Sequence, residues 1–333
     1  MHTWLVSITC GDSASSAGTI ACNPDNYHLK LVPWVGVACR LPPPPSQRAL
    51  APVKGRAFCF LPLPAETGLP VHVNGYFELS SNRRDIWRGD DLAGEGRTRA
   101  QWNKALLEGV VAPTYARLLA RLAKTVSPES LGWYYSMWPS ADIAQPWLSL
   151  AQRVLTEAHA LPVLYSTAGK GQWVAPQDAL YVDASHKGAD RVCEALLADG
   201  TLLVHVPQEV RDMFEQIGLG LFKAGPQWVR AHLTAAPASA AWRTLSQPVR
   251  RETHLGLLEY CLADLRPDAR PGLSASCLLL AASCQTRCCC SLAAGRRCRC
   301  RCHCLQLSLL LCDCRCLLTV RCRCLCRCLC HCV

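Results

Sequence analysis

Absences define this sequence first. No uninterrupted run of 18 apolar residues occurs, so no segment is expected to span a membrane. Nothing at the start reads as a secretory leader: Trp4 to Cys10 is a short apolar run with no basic stretch before it. The motifs H-E-x-x-H and G-x-S-x-G are missing, and the foldable part has no paired-cysteine zinc spacing. Gly169-Lys170-Gly171-Gln172 lacks the G-x-x-x-x-G-K-[ST] spacing of a phosphate loop. No catalytic residue and no metal ligand are therefore expected. His72 and His205 have no companion at ligand spacing and read as packing or hydrogen-bonding residues. A basic nucleic-acid footprint is lacking too. Of the formal charge of +10, residues 284–333 supply nine arginines and one aspartate, a net +8; the other 283 residues carry 26 basic and 24 acidic side chains, a net +2. Cysteine is sparse before residue 270. Only six of 24 lie there (Cys10, Cys22, Cys39, Cys59, Cys193 and Cys261), scattered as small buried hydrophobes of a reduced, cytoplasmic protein.

What is present describes an α+β chain. Trp4, Val6, Ile8 and Cys10 alternate in one strand, and Leu29–Cys39 forms another, interrupted at Pro33. Gly11–Asn26 reads as a loop, and Pro42–Pro45 opens an extended spacer. Residues 57–63 and 71–79 are expected to pair as a hairpin. In its second half Val71, Val73, Gly75, Phe77 and Leu79 fall on one side; His72, Asn74, Tyr76 and Glu78 fall on the other. Helical spacing runs from Arg99 to Lys124, with a kink or two tandem helices at Pro113. Trp133–Trp138 reads as core packing. Further helices are expected at 146–160, 189–199, 207–217, 226–233 and 248–265, a small hairpin around Thr167–Gly171, and a strand at 201–206.

Three segments follow from this pattern. Residues 1–126 hold an N-terminal antiparallel or mixed sheet with packed helices, and residues 127–266 a smaller α/β subdomain. Residues 267–333 form a low-complexity Cys/Arg/Leu tail, unstructured or a gene-model artefact. A thiolate metal cluster and a disulfide framework are the competing readings of that tail.

The run FCFLPLP (58–64), then TGLPVHVNGYFELSSNRRDIW (67–87), closely resembles the sacsin repeat of the Hsp90-type ATPase superfamily, in the part following the ATP-binding domain. The likeness extends to LKLVPWVGVA (29–38), WNKALLEGVVAPTYARLL (102–119), YYSMWP (134–139), LPVLYS (161–166) and LLEYCLADL (257–265). It implies cytoplasmic chaperone or co-chaperone work, with a neighbouring ATP-binding module and Hsp70-system or client proteins as partners. Mg–ATP would belong to that module. Its site needs an acidic base and an Asn on a helix, then a D-x-G-x-G turn. Asp91–Gly96 approaches that turn with one residue too many. The resemblance singles out Asn82, Arg83 and Arg84 as a candidate phosphate sensor acting on the neighbour's nucleotide. A solvated turn, with both arginines paired to Asp85, Asp90 and Asp91, is the alternative. A passive scaffold segment is the alternative for the whole chain.

Overall fold

The computed structural model describes residues 3–42, 53–89, 94–235 and 247–264. The tail from 267 lies outside the described residues, as do Asp90, Asp91 and most of the proline-rich spacer. The competing readings of the tail lie there too. The fold is α+β and divides into two units: Met1–Tyr181 with Val204–Phe222, and Val182–Leu203 with Lys223–Val333. The boundary drawn after residue 126 falls inside the first of these.

In the first unit, β1 (Trp4–Cys10), β2 (Trp34–Arg40), β3 (Arg56–Cys59), β4 (Leu61–Glu66) and β5 (His72–Gly75) form a mixed sheet in the order β1-β2-β5-β3-β4. The expected hairpin of 57–63 against 71–79 is corrected here. Phe60, at φ 60°, turns the chain back after Cys59, so β3 pairs antiparallel with β4. The pairing of β3 with β5 is parallel, Ala57 opposite Val73. The prolines explain the order. Pro62 and Pro64 cannot donate to a ladder, and on the edge strand β4 each can face away from it.

Register decides which faces are buried. β2 turns Val35, Val37 and Cys39 inward, and residues opposite one another in an antiparallel pair share a face. Ser7, opposite Val37, is therefore buried, whereas Val6 opposite Ala38 and Ile8 opposite Gly36 point outward. The apolar alternation of β1 lies on the exposed side of the sheet.

The inner face is covered by a helical rod. α2 (Glu95–Leu106) and α3 (Ala112–Ala123) are joined by a π-turn, Leu107–Val111, that ends just before Pro113. The missing N–H of proline is tolerated at that start. Trp102, Leu106, Val110, Tyr115, Leu118, Leu119 and Leu122 are all buried, as their spacing requires. Residues 11–26 are not simply a loop. α1 (Ser16–Ala21) forms there because Ser15 accepts from Gly18 N at 3.0 Å; the Ser and Asp content reads as N-cap chemistry.

The aromatic patch joins the same core. α4 (Leu131–Tyr135) buries Tyr134, whose hydroxyl donates to Val163 O at 2.7 Å, and the Tyr115 hydroxyl donates to Met137 O at 2.6 Å. Burial pushes both phenols well above the usual range. α5 (Trp147–Ala158) packs on α3, and β6 (Leu164–Ser166) pairs with β7 (Gln172–Val174). Residues 201–206 form no strand of their own: Val204 makes an isolated bridge to Ser166 and donates its N–H to Leu180 O at 2.8 Å.

The second unit contains α6 (Ala189–Ala198), α8 (Pro226–Ala235) and α9 (Gln247–Cys261); α7 (Gln208–Gln216) belongs to the first. α9 approaches the start of α6 closely, because a Cβ on Gly188 would lie 2.0 Å from Gly256 O. Tyr260 donates to Ala224 O at 2.6 Å, and Lys223 pairs with Asp183 at 2.7 Å, holding that carboxyl far below its ordinary range. No described helix is long and apolar enough to cross a membrane.

Candidate functional site

β5 delivers the chain into a closed loop. Its alternation continues past the ladder: Phe77 is buried, and Leu79 bridges antiparallel to Ile86. Inside that bridge, Ser80 N donates to Asp85 O at 2.9 Å and Arg83 N to Ser80 O at 2.8 Å. Asn82 closes an Asx-turn, its Oδ1 accepting from Arg84 N at 3.0 Å and from Ser80 Oγ at 2.8 Å. The turn therefore follows from Ser80 and Asn82, two short side chains that bond to nearby backbone.

This geometry presents a cationic tip. Asn82, Arg83 and Arg84 are all exposed, and Arg83 sits in the left-handed region at φ 54°. Neither arginine makes an ion pair among the described residues. The expected pairing with Asp85 is corrected: Asp85 takes Arg88 instead, at 2.5 Å, while Arg88 also donates to Gln145 O at 2.9 Å. Asp85 spends its other oxygen on the N–H of Ile86, which turns its carboxylate toward the loop base. Asp90 and Asp91 lie outside the described residues.

The residue that holds this loop carries no motif. Asn103, 2% exposed, receives Glu78 N at 2.9 Å and donates to Glu78 O at 2.7 Å and Trp87 O at 3.0 Å. It pins both strands of the loop base to α2. Trp102 beside it donates from its indole to Tyr76 O at 2.8 Å. The only signal in the sequence is a polar residue next to a tryptophan on an apolar helix face. Trp87 takes the Arg99 guanidinium over its ring at 5.7 Å, and Arg99 pairs with Glu78 at 3.2 Å and Glu95 at 3.3 Å. Trp87 and Trp102 thus brace the loop base.

Left-handed backbone costs a non-glycine residue about 1 kcal/mol, and asparagine tolerates it better. Arg83→Asn is therefore expected to raise the urea midpoint, by roughly 0.5 kcal/mol in stability.

Other candidates fall away on geometry. Gly169 and Gly171, at φ 62° and 85°, lie in the β6–β7 turn and not at a helix start. His72 accepts from Arg56 N at 3.1 Å and stacks on Trp4; burial, then the Arg56 charge, lowers its pKa. His205 is exposed, which corrects its reading as a packing residue; no hydrogen bond or ring contact of its side chain stands among the described residues. Among those residues, no group of three His, Cys, Asp or Glu is placed to hold a metal. The Cys59 thiol, which donates to Phe77 O at 3.4 Å below the loop, is raised by its burial.

Sequence comparison bears on this arrangement. Human sacsin is 39% identical over 132 residues, which is 39% of this chain and 3% of that protein. The chain is related to sacsin. It spans a very small part of the length of that relative. No family model and no solved structure matches the chain.

Proposed function

We propose that this chain is an accessory segment of a sacsin-like chaperone or co-chaperone, relaying the nucleotide state of an adjacent Hsp90-type ATP-binding module to a client or Hsp70-system surface. The supporting observation is the loop tip. Two guanidiniums stand exposed on a turn whose base is bonded to α2 through Asn103. A charge on a rigid mount loses little entropy on meeting a phosphate, and guanidinium suits bidentate contact with phosphate oxygens. On this reading the neighbour holds Mg–ATP, and Asn82, Arg83 and Arg84 reach its terminal phosphate, where they stabilise charge developing in transfer. The chain performs no catalytic step alone, and its setting is the cytoplasm.

The test uses an intact repeat that carries its own ATP-binding module. Arg84→Ala is expected to lower ATP turnover by about tenfold or more, as loss of a charge contact in the transition state does. Unchanged turnover together with unchanged nucleotide affinity would sink the sensor role and leave a passive scaffold segment.

A further inference from the structure

β5 holds its two neighbours unequally. Against β2 it keeps a four-residue antiparallel register, from Val35 opposite Gly75 to Ala38 opposite His72. Against β3 the parallel register covers two residues, Ala57 opposite Val73 and Phe58 opposite Asn74. Just outside that short ladder, side chains of β5 take over from its backbone. His72 Nδ1 accepts from Arg56 N at 3.1 Å, and Asn74 Oδ1 accepts from Phe60 N at 3.1 Å. Both residues alternate with buried Val71 and Val73, so they reach β3 from the outward side of the sheet. One bond closes each end of the ladder. They differ in kind: an amide oxygen accepts at any pH, whereas an imidazole nitrogen accepts only while it is bare.

We infer that His72 is a proton-sensitive latch, which holds the β3–β4 ribbon to β5 while the ring is neutral and loosens it when Nδ1 takes a proton. The bond fixes the tautomer: with Nδ1 accepting, the neutral ring carries its proton on Nε2. A proton added at Nδ1 sets two donors against each other, and the bond to Arg56 N is lost. The surroundings resist that proton. Arg56 on β3 stands beside the ring, and Arg40 falls on the same side of β2 as Ala38, the residue opposite His72. β1 has no charged residue and contributes Trp4, stacked on the ring at 5.3 Å. The indole attracts an imidazolium only weakly at a half-open site, and the Arg56 charge opposes it. β4 brings Glu66, opposite Arg56, but that carboxylate meets Lys54 at 3.8 Å. With the ribbon docked, burial first and the Arg56 charge second hold the His72 pKa below 6.5; in a loosened ribbon it returns to that value. Docking is therefore undiminished above about pH 6.5 and weakens as the pH falls from there through the lowered docked value. The inference is independent of the phosphate-sensor reading.

Amide hydrogen exchange across β3 and β4 of the full chain, corrected for the intrinsic pH dependence of exchange, tests it. Between about pH 7.5 and about pH 5, protection there should fall about fivefold, the effect of losing one ordinary hydrogen bond, while α3 and α5 stay unchanged. Nitrogen shifts of the His72 ring should report the Nε2–H tautomer and a titration midpoint below 6.5. His72→Asn offers an amide oxygen near the position of Nδ1 and should hold protection high at both pH values. His72→Phe keeps a ring against Trp4 without an acceptor, and should give low protection at both. Asn74→Ala removes the latch that does not titrate; it should lower protection equally at both values and keep the parent's pH dependence. An Nδ1–H tautomer, a parent ribbon equally protected at both values, or a pH dependence that survives in both His72→Asn and His72→Phe overturns the inference.

Discussion

Trp102→Ala is expected to cost roughly 4 kcal/mol of unfolding free energy, the largest effect of any single change considered. The side chain is fully buried, at 0% exposure, where α2 meets the end of β5. Truncation removes the transfer energy of a large aromatic side chain and leaves a void that its rigid neighbours fill only in part. It also strands Tyr76 O, which loses its 2.8 Å bond from the indole. Urea denaturation followed by far-UV circular dichroism measures this cost. Trp102→Phe retains most of the volume and separates the two contributions. It should cost about 1–2 kcal/mol, the share owed to the hydrogen bond and the smaller ring. Equal losses for both variants would show that the volume of the side chain is unimportant.

Asn103→Ala should follow at about 3 kcal/mol. The asparagine makes three hydrogen bonds to main chain at 2.7, 2.9 and 3.0 Å, and alanine satisfies none of them. Buried partners left unpaired cost more than the same bonds contribute when made. The consequence is local as well as global, because those bonds hold Glu78 and Trp87 on opposite sides of the loop base. Amide hydrogen exchange in residues 78–87 should therefore accelerate in Asn103→Ala even under conditions where the domain stays folded. Unchanged exchange there would mean that the Leu79–Ile86 bridge and the Asx-turn hold the loop without help from α2.

Much of this arrangement was legible in the sequence, for a physical reason that differs by element. Helical spacing located α2, α3 and α5 because each buries a broad stripe, and a stripe repeats every three or four residues. The strand at 72–75 was legible because its two sides differ in polarity. Pairing was not. Nothing local distinguishes a hairpin of 57–63 with 71–79 from the observed parallel contact of β3 and β5; the turn at Phe60 and the placement of two prolines at an edge decide it. β1 defeats pattern reading differently. Its alternation of Trp4, Val6 and Ile8 is that of a core-facing strand, but the register with β2 sends those residues outward. At the loop, Asn82, Arg83 and Arg84 announced themselves by charge and turn chemistry. Asn103, which anchors them, did not, since a single polar residue on a helix carries no periodic signature.

The position of β5 within the sheet has a bearing on assembly. β1 pairs with β2, and β3 pairs with β4, as two separate ribbons contributed earlier in the chain, and neither ribbon bonds to the other. Only when residues 72–75 arrive does one strand join them, antiparallel on one flank and parallel on the other. The five-stranded layer is thus incomplete until its last-synthesised member enters the middle. The loop carrying Arg83 and Arg84 issues directly from that closing strand, so it can be correctly mounted only on a finished sheet.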